Sequence, residues 1–135
     1  MIMSRLITSL ISLLALVSGS NLNAQTKPKW VVPSSAVKIE NPVGSGSATL
    51  ASAKILYINN CAPCHGEKGK GNGPASASLV PKPADHSSSV FQSQSDGAIF
   101  YKLSEGRSPM PAYKAILSDQ QRWGLVSYIR TLKKK

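Results

Sequence analysis

Apolar residues return at helical spacing in three stretches of the chain. In the first, Leu50, Ala53 and Tyr57 share one face of a helix predicted from Ser47 to Asn60. The same face continues to Cys61, the first residue after the predicted helix. Helical periodicity therefore leads directly into the part of the sequence that carries its chemistry.

The second helix is predicted from Asp96 to about Ser104, with Ser95 as N-cap and Gly106 as terminator. The third starts at Ser118, which forms a capping box with Gln121. The apolar faces of these two helices are Ile99, Phe100 and Leu103, and Leu125, Tyr128, Ile129 and Leu132. Since no stretch alternates as a strand does, the sequence predicts an all-α fold with three main helices and a loop-rich centre.

Proline, glycine and serine dominate residues 25–46, which predicts an extended arm without regular structure ahead of a domain at 47–135. Within the arm, Trp30-Val31-Val32 is apolar enough to pack, and we expect it on the outside of the domain. The run from Gly66 to Pro74 has too many glycines for a helix and predicts a tight loop. Residues 75–90 are predicted to be irregular.

The first 24 residues have the pattern of an export signal. Arg5 precedes an uncharged apolar run from Leu6 to Val17, and Ala24 is a plausible last residue before cleavage. The apolar run is shorter than the roughly 20 residues of a membrane-spanning helix. We predict a cleaved signal peptide at 1–24 and a periplasmic protein, with an uncleaved signal anchor as the alternative.

The chain is strongly basic, with 16 Lys and Arg against 6 Asp and Glu and a net charge of +10. Such a charge is typical of a well-solvated surface, and it can also steer the protein toward an acidic protein partner or an anionic membrane face. An exported chain without interleaved aromatic and basic residues is not expected to bind nucleic acid.

The two cysteines of the chain lie in Cys61-Ala62-Pro63-Cys64-His65, a C-x-x-C-H run. This is the attachment signature of a c-type haem: the thiols can form thioethers with the porphyrin, and the histidine can bind its iron. A redox dithiol would be expected near a βαβ pattern, which the sequence lacks. A structural zinc site needs four protein ligands, and the only further histidine is His86.

A six-coordinate haem needs a ligand opposite His65. Met110 is the one methionine outside the predicted signal peptide, and Pro109 and Pro111 restrict the backbone on both sides of it. We therefore predict a His65/Met110 pair, with Met110 as a core residue being the alternative. His86 is the rival ligand, but its serine-rich loop is expected to be exposed.

Taken together, these motifs resemble those of the class I c-type cytochromes, the small monohaem cytochrome c family. The resemblance covers residues 47–132 and consists of Cys61-Ala62-Pro63-Cys64-His65-Gly66, Gly73-Pro74 and Pro109-Met110-Pro111, in family order. It implies that the first and last helices cross near Ala53, Tyr57 and Tyr128. It also implies that the Pro74 carbonyl accepts a hydrogen bond from the His65 ring, that Arg107 binds a haem propionate, and that Tyr113 and Trp123 are core or haem-side aromatics.

The chain departs from the family pattern at two positions. Ala53 stands where a glycine is common at the helix crossing, which would widen the crossing slightly. His86 follows Pro-Ala-Asp, where similar sequences have an aromatic residue, and could make the surroundings of the haem sensitive to pH.

The sequence thus predicts a periplasmic, non-enzymatic carrier of single electrons between respiratory redox proteins, with no small-molecule substrate and no membrane contact except through partners. One alternative is a haem c subunit of a larger respiratory or dehydrogenase complex. A further alternative is a haem enzyme or gas sensor with a labile distal ligand.

Overall fold

The computed structural model describes residues 29–135, so the predicted signal peptide at 1–24 lies outside the described residues. Within residues 29–135 the chain forms six α-helices and no β-strand. The helices are α1 (Ser34–Val37), α2 (Ser47–Asn60), α3 (Ala62–His65), α4 (Ser89–Gln92), α5 (Asp96–Glu105) and α6 (Asp119–Thr131). Single 3-10 turns lie at Ser76–Ser78 and Tyr113–Ala115. The prediction of an all-α fold with three main helices, α2, α5 and α6, is confirmed.

The predicted caps form as the sequence indicated. The Ser95 side chain accepts a hydrogen bond from the backbone N–H of Ala98 at the start of α5. At the start of α6, Ser118 accepts from the backbone of Gln121, whose side chain accepts from Ser118 in return. These local bonds satisfy backbone donors that would otherwise lack partners, so they fix where both helices begin.

Helices α2 and α6 cross to form the centre of the core. Tyr57, Leu125, Val126 and Ile129 are almost completely buried there. The rings of Tyr57 and Tyr128 lie 5.2 Å apart, which places the crossing where the resemblance implied. None of the helices in the described part of the chain combines the length and apolar character needed to cross a bilayer.

The small residue at this crossing lies on α6. A Cβ built on Gly124 would be 3.7 Å from the Cβ of Ala53 and from Cγ2 of Thr49, which is ordinary contact. Ala53 therefore meets no large side chain across the crossing, because the residue that faces it on α6 is Gly124.

The arm is more regular than the sequence predicted. It contains α1, whose Ala36 is buried, and α1 packs on α5. Asn41 donates from its side chain to Ser127 Oγ at 3.0 Å, which ties the end of the arm to α6. The expectation of no regular structure in the arm is therefore wrong at Ser34–Val37. This single turn has no periodic pattern of its own and depends on tertiary packing.

The glycine-rich loop after α3 forms as predicted. Gly66, Gly69 and Gly71 all have positive φ, a conformation that other residues adopt only with strain. The backbone N–H of Gly71 donates to the His65 carbonyl at 2.8 Å, so the loop folds back on the C-x-x-C-H motif.

Candidate haem site

The C-x-x-C-H motif forms a single helical turn that continues from α2 with a bend. The backbone N–H groups of Cys64 and His65 both donate to the carbonyl of Cys61, at 3.1 and 2.8 Å. This turn brings the two cysteines and the histidine to the wall of one cavity. Residues that are three and four positions apart lie on the same side of a helix, which explains why this spacing is needed.

The remaining walls of the cavity are largely apolar and come from distant parts of the chain. They include Leu79 and Pro81 from the loop after Ser76–Ser78, Ile99 and Leu103 from α5, and Ile129 from α6. Apolar walls exclude water and suit the faces of a porphyrin.

The side chain of His65 is held by a backbone carbonyl. Its Nδ1 lies 3.0 Å from the oxygen of Ala84, so Nδ1–H donates there and the lone pair of Nε2 remains free to bind a metal. Burial lowers the pKa of His65, and the bond to Ala84 partly opposes this shift. The imidazole is therefore neutral near pH 7, which is the form that binds iron.

The carbonyl that contacts His65 is not the one the resemblance implied. The segment at Gly73 and Pro74 is hydrogen-bonded to the backbone of the motif instead: Gly73 donates to the carbonyl of Cys64 and Ala75 donates to that of Pro63. A Cβ on Gly73 would overlap backbone oxygens of the motif, so the two segments are in direct contact. The structure corrects the acceptor from Pro74 to Ala84.

Met110 lines the same cavity and is half-buried. A pair of 2.9 Å backbone hydrogen bonds between Arg107 and Met110 closes the loop that presents it. This loop can turn back after α5 because Gly106 has φ +61°, and a Cβ there would lie 2.5 Å from the carbonyl oxygen of Pro111. The sequence indicated Gly106 only as a helix terminator, and the structure shows that it also sets the path of the methionine loop.

His86 is buried, contrary to the prediction of an exposed loop residue. Its ring stacks on that of His65 with centroids 4.0 Å apart, and its Nδ1 lies 3.0 Å from the hydroxyl of Tyr57. Burial, with the proximity of His65 as a smaller cause, lowers the pKa of His86 well below its usual value. Lone pairs of imidazole lie in the ring plane, so two rings that face each other cannot hold one iron between them. The structure therefore places His86 beside His65 and not opposite it.

The sequence did not decide whether two aromatic residues belong to the core or to the haem site. The structure gives each of them a different location. Tyr113 lines the cavity and donates from its hydroxyl to the carbonyl of Asn60 at 2.7 Å, next to the motif. Trp123 belongs to the core, where it stacks on Phe100 with centroids 3.9 Å apart.

The structure also brings Trp30 to the cavity, although the sequence predicted that it would pack on the outside of the domain. Arg107, which the resemblance assigned to a propionate, lines the same cavity, and its Cζ lies 4.8 Å from the centre of the Trp30 ring. No sequence pattern indicated this contact, since the two residues are far apart in the chain.

A helical fold of this kind, with both motif cysteines on the wall of one apolar cavity, is that of a small c-type cytochrome. The chain belongs to the Cytochrome c family, whose profile matches residues 50–133. Membership means a covalently bound haem c, which confirms the predicted cofactor, and Cys61 and Cys64 fit its attachment motif. The apolar walls and the free Nε2 of His65 fit this group as well.

Relatives and solved structures agree with this assignment. The chain is 32% identical to cytochrome c6 of Parathermosynechococcus lividus over 82 residues, which cover 61% of this chain and 88% of that protein. It is 30% identical to cytochrome c6 of Synechococcus elongatus over 82 residues, with the same coverage of 61% and 88%.

Two solved structures share the fold at 26% sequence identity. One is a chain of the Kuenenia stuttgartiensis reducing HAO-like protein complex Kustc0457/Kustc0458, with a TM-score of 0.62 over 82% of this chain. The match spans only 53% of that longer chain. The other is the KustC0563 c-type cytochrome, with a TM-score of 0.54 over 61% of this chain and 98% of that one.

Proposed function

We propose that the protein is a periplasmic carrier of single electrons whose haem c is bound by His65 and Met110. The observation that carries the proposal is that these two side chains reach one apolar cavity from separate elements, α3 and the loop after α5. The imidazole of His65 and the thioether of Met110 would both bind the iron, and a fully ligated iron favours outer-sphere electron transfer over binding of a substrate.

The haem supplies the one-electron exchange between Fe(II) and Fe(III), and the protein residues hold and tune it. Cys61 and Cys64 would form the two thioethers. Ala84 orients the ring of His65 through the Nδ1 hydrogen bond, so that Nε2 points at a fixed position. A Met110 thioether on the iron would favour the reduced state and so raise the potential relative to two nitrogen ligands.

Arg107 would bind a haem propionate, since its guanidinium lines the cavity and can pair with a carboxylate in a bidentate manner. The excess of positive charge over the chain supports redox partners with acidic docking surfaces. The predicted signal peptide supports a periplasmic location, and mass spectrometry of the mature protein tests it directly. A mature chain that starts at Gln25 is expected, and a retained Met1 would contradict export by cleavage.

A potentiometric titration and a ligand test examine the carrier function. The purified, haem-loaded protein is expected to titrate as a reversible one-electron couple. Its reduced form is expected not to bind carbon monoxide rapidly at neutral pH, because Met110 would already be bound to the iron. Rapid, stoichiometric binding would contradict tight ligation by Met110 and would favour a haem enzyme or gas sensor.

A second function is favoured by one comparison, the likeness to a chain of an HAO-like complex over 82% of this chain. On that basis the protein would be a haem c subunit of a larger redox assembly. Gel filtration of a native periplasmic extract distinguishes the two functions. A free carrier elutes at the size of the mature chain, whereas a subunit elutes with large partners.

A further inference from the structure

We infer that Trp30 is part of the haem site: it closes the side of the cavity that Lys102 and Arg107 line, and the packing of α1 on α5 holds it there. Trp30 and α1 both precede residue 50, where the match to the Cytochrome c family begins. The inference goes beyond the proposed function, since it concerns which segment closes the site and holds for a carrier and for a subunit alike.

The first observation is the position of the indole. Trp30 is half-buried and lines the same cavity as His65 and Met110. The Cζ of Arg107 lies 4.8 Å from the centre of its ring, and Nζ of Lys102 lies 5.8 Å from it. Both distances are within the range of cation–π attraction, so the ring holds two cations at the edge of the cavity.

The second observation is the docking of α1. A Cβ on Gly97 of α5 would overlap the carbonyl oxygen of Ala36 and lie 2.7 Å from that of Ile39. The backbone of α1 can therefore approach α5 this closely only because residue 97 has no side chain. This contact fixes the chain a few residues after Trp30.

The third observation is a separate anchor at the end of the arm. Asn41 donates to Ser127 Oγ at 3.0 Å, and Ser127 Oγ donates in turn to the carbonyl of Val43 at 3.3 Å. Residues 29–43 are thus fastened to both α5 and α6. By contrast, the neighbouring Val31 is 80% exposed and has no part in the cavity wall.

The charges on this side explain what the indole would do for the haem. Lys102 and Arg107 line the cavity together, beside the Trp30 ring. Burial lowers the pKa of Lys102, and the positive charges of Arg107 and Lys29 lower it further. Cations and a low dielectric near the iron both disfavour Fe(III), so closure by Trp30 raises the potential. The same closure hinders entry of a foreign ligand that would displace Met110.

The test compares four variants of the mature, haem-loaded protein. Trp30→Ala removes the indole, and Val31→Ala is its matched control from the exposed neighbour. Gly97→Ala displaces α1 without changing any residue of the cavity. Gly124→Ala is the control for it, since it adds the same methyl group to a helix where there is room. Imidazole is the probe: its affinity for the ferric protein is measured by spectral titration, together with the midpoint potential.

We expect Trp30→Ala and Gly97→Ala to raise the imidazole affinity roughly tenfold. This change corresponds to about 1.4 kcal/mol in the free energy of binding. Both should also lower the midpoint potential, while Val31→Ala and Gly124→Ala leave both quantities unchanged. An affinity and potential for Trp30→Ala equal to those of Val31→Ala would overturn the inference. If Trp30→Ala does not retain haem, Trp30→Phe takes its place and must restore haem loading, with an intermediate imidazole affinity. A wild-type imidazole affinity for Trp30→Phe would equally overturn the inference.

Discussion

The buried hydroxyl of Tyr57 lies 3.0 Å from Nδ1 of His86 and 3.4 Å from the carbonyl oxygen of Gly66. Tyr57 is on α2, and His86 stacks on the ring of His65. A hydrogen bond between two buried side chains therefore connects the first long helix to the histidine of the attachment motif. Burial, with the nearby thiol of Cys61 as a smaller cause, raises the pKa of Tyr57, so its hydroxyl remains protonated.

Replacing Tyr57 by phenylalanine should destabilise the protein. The change removes the hydroxyl and leaves a buried nitrogen of His86 without its partner, which costs about 1–3 kcal/mol in the free energy of unfolding. Chemical denaturation of the haem-loaded protein measures this loss. Tyr101→Phe is the control, because no hydrogen bond of the Tyr101 hydroxyl occurs within residues 29–135. Equal stability of the two variants would contradict the role of the Tyr57 hydroxyl.

Some helices of the fold could be predicted from the sequence and others could not, as α5 and α6 on one side and α1 on the other show. Helices α5 and α6 carry their own signals, namely the caps at Ser95 and Ser118 and an apolar face of several turns. Helix α1 is one turn long and depends on contact with Gly97, more than fifty residues away in the chain. A local pattern cannot report a contact of that kind.

The same limit explains the differences within the site. The spacing of the C-x-x-C-H motif is local, so its placement on one cavity wall followed from the sequence. The burial of His86 depends on Tyr57, which is 29 residues away, and the partner of His65 is a backbone carbonyl, at Ala84, that has no sequence signature. Long-range contacts and backbone acceptors leave no local pattern from which a sequence could predict them.

Cys61→Ala should sharply reduce covalent attachment of haem. The Cys61 thiol lines the cavity at the end of α2, and without it at most one thioether can form. Haem staining of the expressed protein on a denaturing gel measures the attachment. The double variant with Cys64→Ala should show no staining, which provides the lower limit. Staining of Cys61→Ala at the wild-type level would show that this cysteine does not hold the haem.

Met110→Ala should remove the weak long-wavelength absorption band that marks a methionine–iron bond in the ferric protein. The potential should fall by on the order of 0.1 V, since axial ligands set potentials over a span of about 0.8 V. The reduced variant should also bind carbon monoxide, because the sixth position becomes accessible. Val90→Ala is a suitable control, as its side chain is 80% exposed. Persistence of the band in Met110→Ala would exclude Met110 as the ligand.

Asp85→Asn should lower the stability of the folded protein near neutral pH but not in strong acid. The Asp85 carboxylate accepts from the side chain and backbone of Ser87 at 2.6 and 2.8 Å, and lies near Lys134. The side-chain hydrogen bond from Ser87 is the main cause that lowers the pKa of Asp85 below its usual 3.8. The ionised carboxylate therefore stabilises the folded protein above that pH, and this stabilisation is lost as the pH falls through the pKa of Asp85 in the folded protein. The loss at pH 7 should be less than about 1 kcal/mol, because the carboxylate is partly exposed.

Thermal unfolding at pH 7 and at about pH 3 checks this dependence. The difference between wild type and Asp85→Asn should narrow at the lower pH, whereas the exposed control Glu40→Gln should track the wild type at both values. A difference that stays constant with pH would show that the Asp85 charge is not its source.

Gly106→Ala should disturb the methionine loop while leaving Met110 itself in place. Position 106 has φ +61°, a strained conformation for alanine that costs about 1–3 kcal/mol, and the added Cβ would lie 2.5 Å from the carbonyl oxygen of Pro111. The loop must therefore move, which should lower the melting temperature and weaken the methionine–iron absorption band. Gly124→Ala is the matched control: its Cβ makes only 3.7 Å contacts, and alanine favours a helix by up to about 1 kcal/mol over glycine. That variant should keep the full band and melt at or above the wild-type temperature. A Gly106→Ala protein with the wild-type band and melting temperature would show that the path of the loop does not depend on this glycine.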